Sequence, residues 1–89
     1  MYHLYILRCS DNFLYRGQTS SLQRRIHEHN FDKNKSVKYL RAKKPVVLVY
    51  FEELSTLQEA MRRELQIKKW TRAKKEVLIK RNFVLLKKL

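Results

Sequence analysis

The sequence predicts a small α+β layer fold with its elements in the order ββαβαα. Two neighbouring segments near the start are rich in aromatic and branched residues, and a third such segment follows Pro45. Three other segments begin with polar residues that can cap a helix and continue with helical spacing. With 89 residues, 44% of them hydrophobic and 11% aromatic, the chain has the size and composition of one folded domain.

Residues 2–9 and 13–18 predict a β-hairpin, because both segments are aromatic and branched and a polar break of three residues separates them. Pairing across this loop places Tyr5 opposite Gly17. Since alternate residues of a strand point to the same face, Tyr5 and Tyr15 are expected on one face at diagonally adjacent positions. The glycine leaves space beside Tyr5 for another group to approach.

The first helix is predicted over about ten residues that end near Asn30. Ser20 and Ser21 precede it as the N-cap candidates, and Ser20 and Gln23 have the spacing of a capping box. The positions expected on its inner face are Leu22, Arg25, Ile26 and His29. Two of these four positions are polar, although this face should pack on the sheet.

The third strand is predicted in residues 46–53, and its run of β-branched residues favours a buried position. A second capping box, formed by Ser55 and Gln58, begins the second helix. The residues expected on the inner stripe of this helix are Leu57, Ala60, Met61 and Leu65, together with Glu64 and Lys68.

The third helix is predicted over residues 72–82, with Thr71 as its cap. Residues 83–89 form an apolar and basic tail. We therefore place the domain in residues 1–82 and the tail in residues 83–89. An alternative role for this tail is dimerisation.

Three residues are polar or charged where the helical spacing expects apolar side chains: Arg25, His29 and Glu64. Burial of a lone charge costs free energy, so each residue must be paired, lie at the rim of the core or belong to a site. One alternative is that Glu64 pairs with Lys68 and that the Arg25 guanidinium extends to solvent. Three such exceptions in one small domain favour a polar cavity.

The charge distribution indicates nucleic acid as the partner. The chain has 21 Lys and Arg against 8 Asp and Glu, a formal net charge of +13, and such a field attracts phosphate groups. Residues 1–34 have five basic and three acidic side chains, whereas residues 55–89 have eleven and three. An ordinary solvated surface is the alternative for these basic groups. The candidate contact residues are Lys38, Tyr39, Arg41, Arg62, Arg63, Lys68, Lys69, Lys74 and Lys75.

The same sequence disfavours several other classes of protein and site. The one cysteine, Cys9, cannot form an internal disulfide, and no apolar run approaches the ~20 residues of a membrane span. The start of the chain has no signal-peptide pattern, so we expect a cytoplasmic protein without a membrane partner. A zinc site made of Cys9, His3, His27 and His29 would lack both a CxxC motif and a pair of His at i, i+4.

Five pieces of the sequence resemble the GIY-YIG nuclease superfamily, in particular its small stand-alone bacterial members, over roughly residues 2–80. In chain order they are LYILRC, LYRGQT, SLQRRIHEH, PVVLVY and EAMRRELQIKKW. The resemblance implies a three-stranded antiparallel sheet flanked by helices, and metal-dependent cleavage of DNA phosphodiester bonds. HLY and YRG correspond to the two elements of the family name, and His3 and Arg16 stand where that name has glycine and isoleucine.

The resemblance also implies roles for individual residues. Tyr5 matches the catalytic tyrosine, which acts as a general base, and Tyr15 matches the second tyrosine of the motif. An unperturbed tyrosine has a pKa of about 10, so a nearby cation must favour its anion. Arg25 matches a helix arginine that binds phosphate, and Glu64 matches a glutamate that holds Mg²⁺ or Mn²⁺.

Three further residues belong to the same match. His29 is similar to a histidine common in the stand-alone members, where it would share in proton transfer. Gly17 and Thr19 are the structural residues of the second motif element.

Two hypotheses about function follow. The first is a metal-dependent endonuclease, a hydrolase that acts on DNA in repair or recombination, with RNA as a further substrate and no small-molecule cofactor. The second is a non-catalytic module that binds structured RNA or DNA. The excess of positive charge supports both hypotheses equally, and the sequence does not identify protein partners.

Overall fold

The computed structural model describes residues 1–32, 35 and 40–87, and it has the predicted element order ββαβαα. The strands pair antiparallel in the order β2-β1-β3, so the first strand of the chain is central. The elements are β1 Tyr2–Arg8, β2 Leu14–Thr19, α1 Leu22–Phe31, β3 Val47–Leu54, α2 Leu57–Lys68 and α3 Arg72–Lys87. The predicted α+β class with a three-stranded antiparallel sheet is confirmed.

The β1–β2 hairpin has the predicted register. Tyr5 lies opposite Gly17 and Leu7 lies opposite Tyr15. The connecting turn is closed by the backbone N–H of Asn12, which donates to the Cys9 carbonyl oxygen at 2.9 Å. Asn12 has a φ of +72°, a conformation that asparagine adopts more readily than most residues.

The sheet separates two apolar clusters, because successive residues of β1 point to opposite faces. Leu4 and Ile6 lie on the face covered by α2 and α3, where they pack with Ile67 and Ile79. Tyr5, Leu7 and Cys9 lie on the other face, where α1 and the segment 40–46 cover them through Leu22, Ile26, Leu40 and Val46. The central strand is therefore buried on both sides.

β3 corresponds to the predicted third strand, but it is less buried than its composition indicates. It is an edge strand that pairs only with β1. Tyr50 is its one buried residue, and Val47 is 57% exposed. The branched residues of β3 pack partly on the two clusters, and the outer edge of this strand has no neighbour among the described strands.

Both predicted capping boxes are wrong by one residue. Ser21, not Ser20, caps α1 and accepts from the Arg24 backbone N–H at 3.4 Å. Thr56, not Ser55, caps α2 and accepts from the Glu59 N–H at 3.2 Å. Several polar residues precede each helix, and the spacing alone does not decide which of them adopts the extended backbone of a cap.

The predicted inner face of α2 is also wrong, except at Ala60 and the half-buried Glu64. Leu57, Met61 and Leu65 are 39%, 51% and 54% exposed, whereas Ala60 and Ile67 are fully buried. The small Ala60 side chain lets the helix approach the sheet. The helix is rotated so that Arg63 and Glu64 lie on either side of the buried face that contains Ala60 and Ile67. This rotation carries Glu64 toward the sheet, and it leaves Lys68 exposed.

α3 begins where it is predicted, since Thr71 Oγ1 accepts from the Lys74 backbone N–H at 3.3 Å. The helix continues to Lys87, so the part of the predicted tail that the structure describes is helical. The domain boundary at residue 82 stays a prediction. Within residues 1–32, 35 and 40–87, no helix is long and apolar enough to cross a membrane.

An ion pair joins α3 to the hairpin. The Arg8 guanidinium donates to both carboxylate oxygens of Glu76, at 2.6 and 3.1 Å, and its Nη1 also donates to Asn12 Oδ1 at 2.8 Å. Arg72 donates to the Asn12 carbonyl oxygen at 2.6 Å. These contacts fix the start of α3 against the end of β1.

Candidate active site

Tyr5, Tyr15 and His29 form the centre of the candidate site. The Tyr5 hydroxyl oxygen lies 3.1 Å from Nε2 of His29. The His29 ring lies between the two tyrosines, with centroid distances of 6.2 Å to Tyr5 and 5.7 Å to Tyr15. The prediction that both tyrosines share one face is confirmed, and the α1 histidine that departs from the apolar stripe lies against both.

Gly17 makes room for Tyr5. A Cβ atom at Gly17 would lie 2.6 Å from Tyr5 Cζ and would also overlap the hydroxyl oxygen. Real Cβ atoms do not approach a buried ring so closely, and Tyr5 is only 2% exposed. The close approach of Tyr5 therefore requires a glycine at position 17. The backbone conformation does not require one, because the φ of Gly17 is one that other residues also adopt.

Burial raises the pKa of Tyr5 to about 12, and the nearby Tyr15 hydroxyl acts in the same direction. The Arg25 guanidinium opposes this shift, because a nearby positive charge stabilises the phenolate. At neutral pH the Tyr5 hydroxyl is therefore protonated in the isolated chain. An additional positive charge near the hydroxyl would be needed to form a free Tyr5 phenolate at this pH.

Burial lowers the pKa of His29 to about 4, and the positive charge of Arg25 adds to this effect. His29 is the one buried polar or charged residue among the described side chains, and its exposed fraction is 0%. The imidazole is therefore neutral at physiological pH. A neutral imidazole whose Nε2 faces the Tyr5 hydroxyl can accept the proton of that hydroxyl.

Two groups hold the Arg25 guanidinium in place. Its Nη1 donates to Glu28 Oε1 at 3.1 Å and to the Lys35 carbonyl oxygen at 2.8 Å. Glu28 is only 15% exposed at its side chain. The sequence prediction missed Glu28, although its i, i+3 spacing from Arg25 on one helix was the signal that could have identified it.

Glu64 supplies negative charge to the same site. Burial raises the pKa of Tyr15, and the Glu64 carboxylate also raises it; the same carboxylate adds to the raised pKa of Tyr5. Glu64 is half-buried. Within the described part of the chain it forms no hydrogen bond or ion pair, so the predicted alternative of a Glu64–Lys68 pair is not observed there.

The site fits a divalent cation held by one protein carboxylate. No group of three or more His, Cys, Asp and Glu side chains that could hold a metal ion occurs among the described residues. Mg²⁺ is commonly bound by one or two carboxylates together with waters and substrate phosphates. The half-buried Glu64 carboxylate, which forms no ion pair with a described residue, is suited to this mode of binding, whereas no cluster of described residues supports the zinc alternative.

Thr19 connects the strand of the motif to the helix that carries Arg25 and His29. The Ser21 backbone N–H donates to Thr19 Oγ1 at 3.1 Å, and the Thr19 hydroxyl donates to the Ser21 carbonyl oxygen at 3.2 Å. This turn leads directly into the Ser21 cap of α1. Thr19 thus sets the position of α1 relative to β2.

The basic residues predicted to contact nucleic acid occupy different environments. Arg63 donates to both carboxylate oxygens of Glu52, at 2.9 to 3.2 Å, and Lys75 is half-buried on α3. The Lys74 ammonium lies 4.3 Å from the centre of the Trp70 ring. Lys38 and Tyr39 lie outside the described residues. The remaining predicted contact residues, like Lys74, are exposed: Arg41, Arg62, Lys68 and Lys69.

The chain has the sheet topology and the paired motif tyrosines of a GIY-YIG domain, and it belongs to this nuclease family. The GIY-YIG catalytic domain matches residues 1–77. The chain is 45% identical over 78 residues to a UPF0213 protein of Bacillus pumilus (strain SAFR-032), covering 88% of this chain and 78% of that protein. It is 41% identical over 88 residues to a UPF0213 protein of Pediococcus pentosaceus, covering 99% and 90%.

Solved structures have the same fold. The solution NMR structure of the UPF0213 protein BH0048 from Bacillus halodurans matches with a TM-score of 0.57 and 38% identity, over 90% of this chain and 84% of that chain. The solution NMR structure of the protein EF2693 from E. faecalis matches with a TM-score of 0.62 and 35% identity, over 93% and 86%. The expected family is confirmed, and nucleases of this family generally depend on divalent metal ions.

Proposed function

We propose that the chain is a divalent-metal-dependent endonuclease that hydrolyses phosphodiester bonds of DNA, in repair or recombination. The observation that supports this proposal is that the charges of Arg25 and Glu64 both act on the Tyr5 hydroxyl, although the three residues come from three separate elements. Each of these residues supplies a different requirement of the reaction. Hydrolysis of a phosphodiester needs a base for the attacking water, stabilisation of charge on the phosphate and help for the departing oxygen.

Tyr5 and His29 handle the proton. The neutral His29 Nε2 lies within hydrogen-bond distance of the Tyr5 hydroxyl. When the hydroxyl oxygen takes a proton from water, its own proton can pass to Nε2, and this removes the need for a free phenolate. The raised pKa of Tyr5 and the lowered pKa of His29 disfavour a free phenolate and a free imidazolium, so the two protons would move together as the water attacks.

Arg25 and Glu64 act on the phosphate. The planar guanidinium of Arg25 can bind phosphate oxygens through its N–H groups, and Glu28 and Lys35 occupy only its Nη1. Glu64 would hold the divalent cation, which supplies stabilisation of the charge on the phosphate and on the departing oxygen. The exposed basic side chains would hold the rest of the nucleic-acid backbone.

Incubation of the purified chain with branched, single-stranded and duplex DNA, and with RNA, tests this proposal. Each substrate is offered with Mg²⁺, Mn²⁺ or a chelator. We expect cleavage only with metal, and a loss of about 100-fold or more in Glu64→Gln and Tyr5→Phe. Glu53→Gln, which removes an exposed carboxylate from β3, is the matched control and should cleave normally. Cleavage by Glu64→Gln at the unaltered rate would contradict the proposal.

A second candidate function is nucleic-acid binding without cleavage. The observation that favours it is the raised pKa of Tyr5, which keeps the hydroxyl protonated in the isolated chain. Under this alternative the chain binds nucleic acid equally well with metal and with chelator, and no substrate is cut. Cleavage of RNA without cleavage of DNA would support the proposed cleavage mechanism and would replace DNA by RNA as the substrate.

A further inference from the structure

An open pocket of about 220 Å³ lies between Trp70 and the first half of α3. Its described lining residues are Trp70, Lys74, Val77, Leu78 and Arg81. The four residues from α3 are spaced at i, i+3, i+4 and i+7, so they share one face of the helix. Val77 is 54% exposed and Leu78 is half-buried. The pocket therefore combines one aromatic ring, two aliphatic side chains and two positive charges.

Trp70 is held in place where α2 meets α3. Its backbone N–H donates to the Ile67 carbonyl oxygen at 3.0 Å, and its side chain packs on the apolar cluster that contains Leu4 and Ile6. Trp70 is half-buried, so part of its ring is accessible to a ligand. Because Leu4 and Ile6 point to the opposite side of β1 from Tyr5, the pocket is separate from the candidate active site.

Two cations contact the Trp70 ring, and only one of them is fixed. The Arg63 guanidinium lies 5.1 Å from the centre of the ring, and its hydrogen bonds to Glu52 hold it there. The Lys74 ammonium lies 4.3 Å from the centre and forms no hydrogen bond or ion pair with any residue that the structure describes. A cation–π contact at an exposed site is weak and the lysine stem is flexible, so a stronger partner can draw Lys74 away from the ring.

The pocket has the chemistry of a site for a nucleotide. A planar base stacks on an aromatic side chain, and this contact is stronger than that of an exposed ammonium with the same ring. No carboxylate is among the described lining residues, so a phosphate there meets only positive charge. The volume is below the range of about 300 to 1,000 Å³ that is typical for drug-sized ligands, and it suits a single base.

We propose that Trp70, Lys74 and Arg81 bind one unstacked nucleotide in a single-stranded segment of nucleic acid, with its base on the Trp70 ring. Lys74 and Arg81 lie seven residues apart, about 10 Å along the helix axis, so each binds one of the two phosphates that flank this base. A base inside a duplex is covered on both faces by its neighbours, so the pocket selects substrates with a single-stranded segment. The inference rests on the proposed function only for nucleic acid as the ligand.

The fluorescence of Trp70 tests this assignment directly, because Trp70 is the one tryptophan of the chain. A single-stranded oligonucleotide, added with a chelator so that no cleavage occurs, should quench the Trp70 emission as a base stacks on the indole. An abasic strand of equal length and charge is the matched control, and it should quench far less. A duplex of the same sequence should also quench less. Equal quenching by the abasic strand or by the duplex would overturn the inference.

Two substitutions of Trp70 separate stacking from packing. Trp70→Phe and Trp70→Leu both shrink a side chain of the apolar cluster, but only Trp70→Leu removes the aromatic face. In anisotropy measurements with a labelled single strand, Trp70→Leu should bind about 10-fold more weakly than the unaltered chain, and Trp70→Phe should stay within about 3-fold. Equal Kd values for the two variants would overturn the inference. The quenching experiment uses the unaltered chain, so it decides the question even if Trp70→Leu does not fold.

The salt dependence of binding tests the two cations. Lys74→Gln and Arg81→Gln should each lower the slope of log K against log [salt] by up to about one unit. Lys80→Gln is the matched control, because Lys80 is an exposed lysine of the same helix that does not line this pocket. It should change the slope by less than half as much. Equal changes in all three variants would reduce Lys74 and Arg81 to general surface charge and would overturn the inference.

The remaining outcomes separate the sources of the nucleotide and the two proposals. A free deoxynucleoside monophosphate should quench Trp70 only at much higher concentration than the single strand, because it offers one phosphate instead of two. Quenching at the same or a lower concentration would overturn the assignment to nucleic acid. Metal-dependent cleavage without quenching would overturn only this inference. Quenching by the single strand in a chain that cuts nothing would support the pocket and reject the endonuclease.

Discussion

The Tyr5 hydroxyl oxygen lies 3.1 Å from Nε2 of His29, and both side chains are almost completely buried. This pair gives the stability of the fold a defined pH dependence. His29 has a pKa of about 4 in the folded chain and 6.5 when unperturbed. Between these values the unfolded chain binds more protons than the folded chain, so the free energy of unfolding falls as the pH falls.

We therefore expect the chain to lose on the order of 1 to 2 kcal/mol between pH 7 and pH 5 through His29. Urea unfolding at several pH values measures this loss. His29→Gln should flatten the pH dependence over this range, whereas His27→Gln, which alters an exposed histidine on the same helix, should not. Equal pH dependence in both variants would show that His29 is protonated in the folded chain.

Arg25→Lys keeps the positive charge but loses the planar group that can bind two phosphate oxygens. Binding of DNA should change little, while the cleavage step slows by ~100-fold, the scale expected for the loss of one stabilising donor. Single-turnover kinetics at saturating protein separates the two effects. If Arg25→Lys cleaves bound DNA at the unaltered rate, Arg25 only binds substrate and the proposed mechanism is wrong.

Glu28→Gln should alter catalysis and binding in opposite directions. Without the carboxylate, Arg25 loses the group that positions its guanidinium, and the cleavage rate should fall by about 10-fold. The loss of a negative charge beside the phosphate should leave DNA binding equal or tighter. A weaker Kd together with an unaltered rate would show that Glu28 has no positioning role. Glu53→Gln serves again as the control for charge.

Gly17→Ala should disrupt Tyr5 directly, because the new methyl group would overlap the Tyr5 ring. We expect a loss of stability of about 1 to 3 kcal/mol, the usual cost of overpacking a core, and a strong loss of cleavage. Gly17→Ala combined with Tyr5→Phe should recover part of the stability, since the hydroxyl is among the overlapped atoms. Unaltered stability in Gly17→Ala would mean that the ring has space to move.

Glu76→Gln should weaken the attachment of α3 to the hairpin. The hydrogen bonds from Arg8 hold the pKa of Glu76 below its ordinary value of 4.5. A lowered folded-state pKa stabilises the fold above 4.5, and this contribution disappears as the pH falls through the folded-state value. The variant should be about 1 kcal/mol less stable at pH 7, with a smaller difference at acid pH. A difference that does not depend on pH would exclude the ion pair as its cause.

The hairpin could be predicted from the sequence because two local signals agree in it. Side chains alternate between the two faces of a strand, so the sequence predicts which residues share a face, and the short polar break predicts the register of the two strands. Tyr5 and Tyr15 were therefore placed correctly. The face of α2 could not be predicted in this way. Leu57, Met61 and Leu65 form a continuous apolar stripe in the sequence, and only the tertiary packing of Ala60 and Ile67 selects the neighbouring stripe instead.

Part of the candidate site could also be predicted from a local pattern in the sequence. Arg25, His29 and Glu64 interrupt apolar spacing, and such interruptions are visible in a sequence. Glu28 is an ordinary charged residue at a position where charge is common. Its spacing from Arg25 indicates a pair on one helix, but the effect of that pair on Tyr5 becomes visible only when α1 is packed on β1.

The position of β1 at the centre of the sheet has a consequence for synthesis on the ribosome. The hairpin Tyr2–Thr19 can pair as soon as it emerges, but the other edge of β1 waits for β3, which ends at Leu54. During this interval the most apolar strand of the chain has an open edge, which is a template for pairing with other nascent chains. Arg8 receives its partner Glu76 even later. The order of the strands therefore makes the nascent chain most prone to aggregation in the interval between the emergence of Thr19 from the ribosome and that of Leu54.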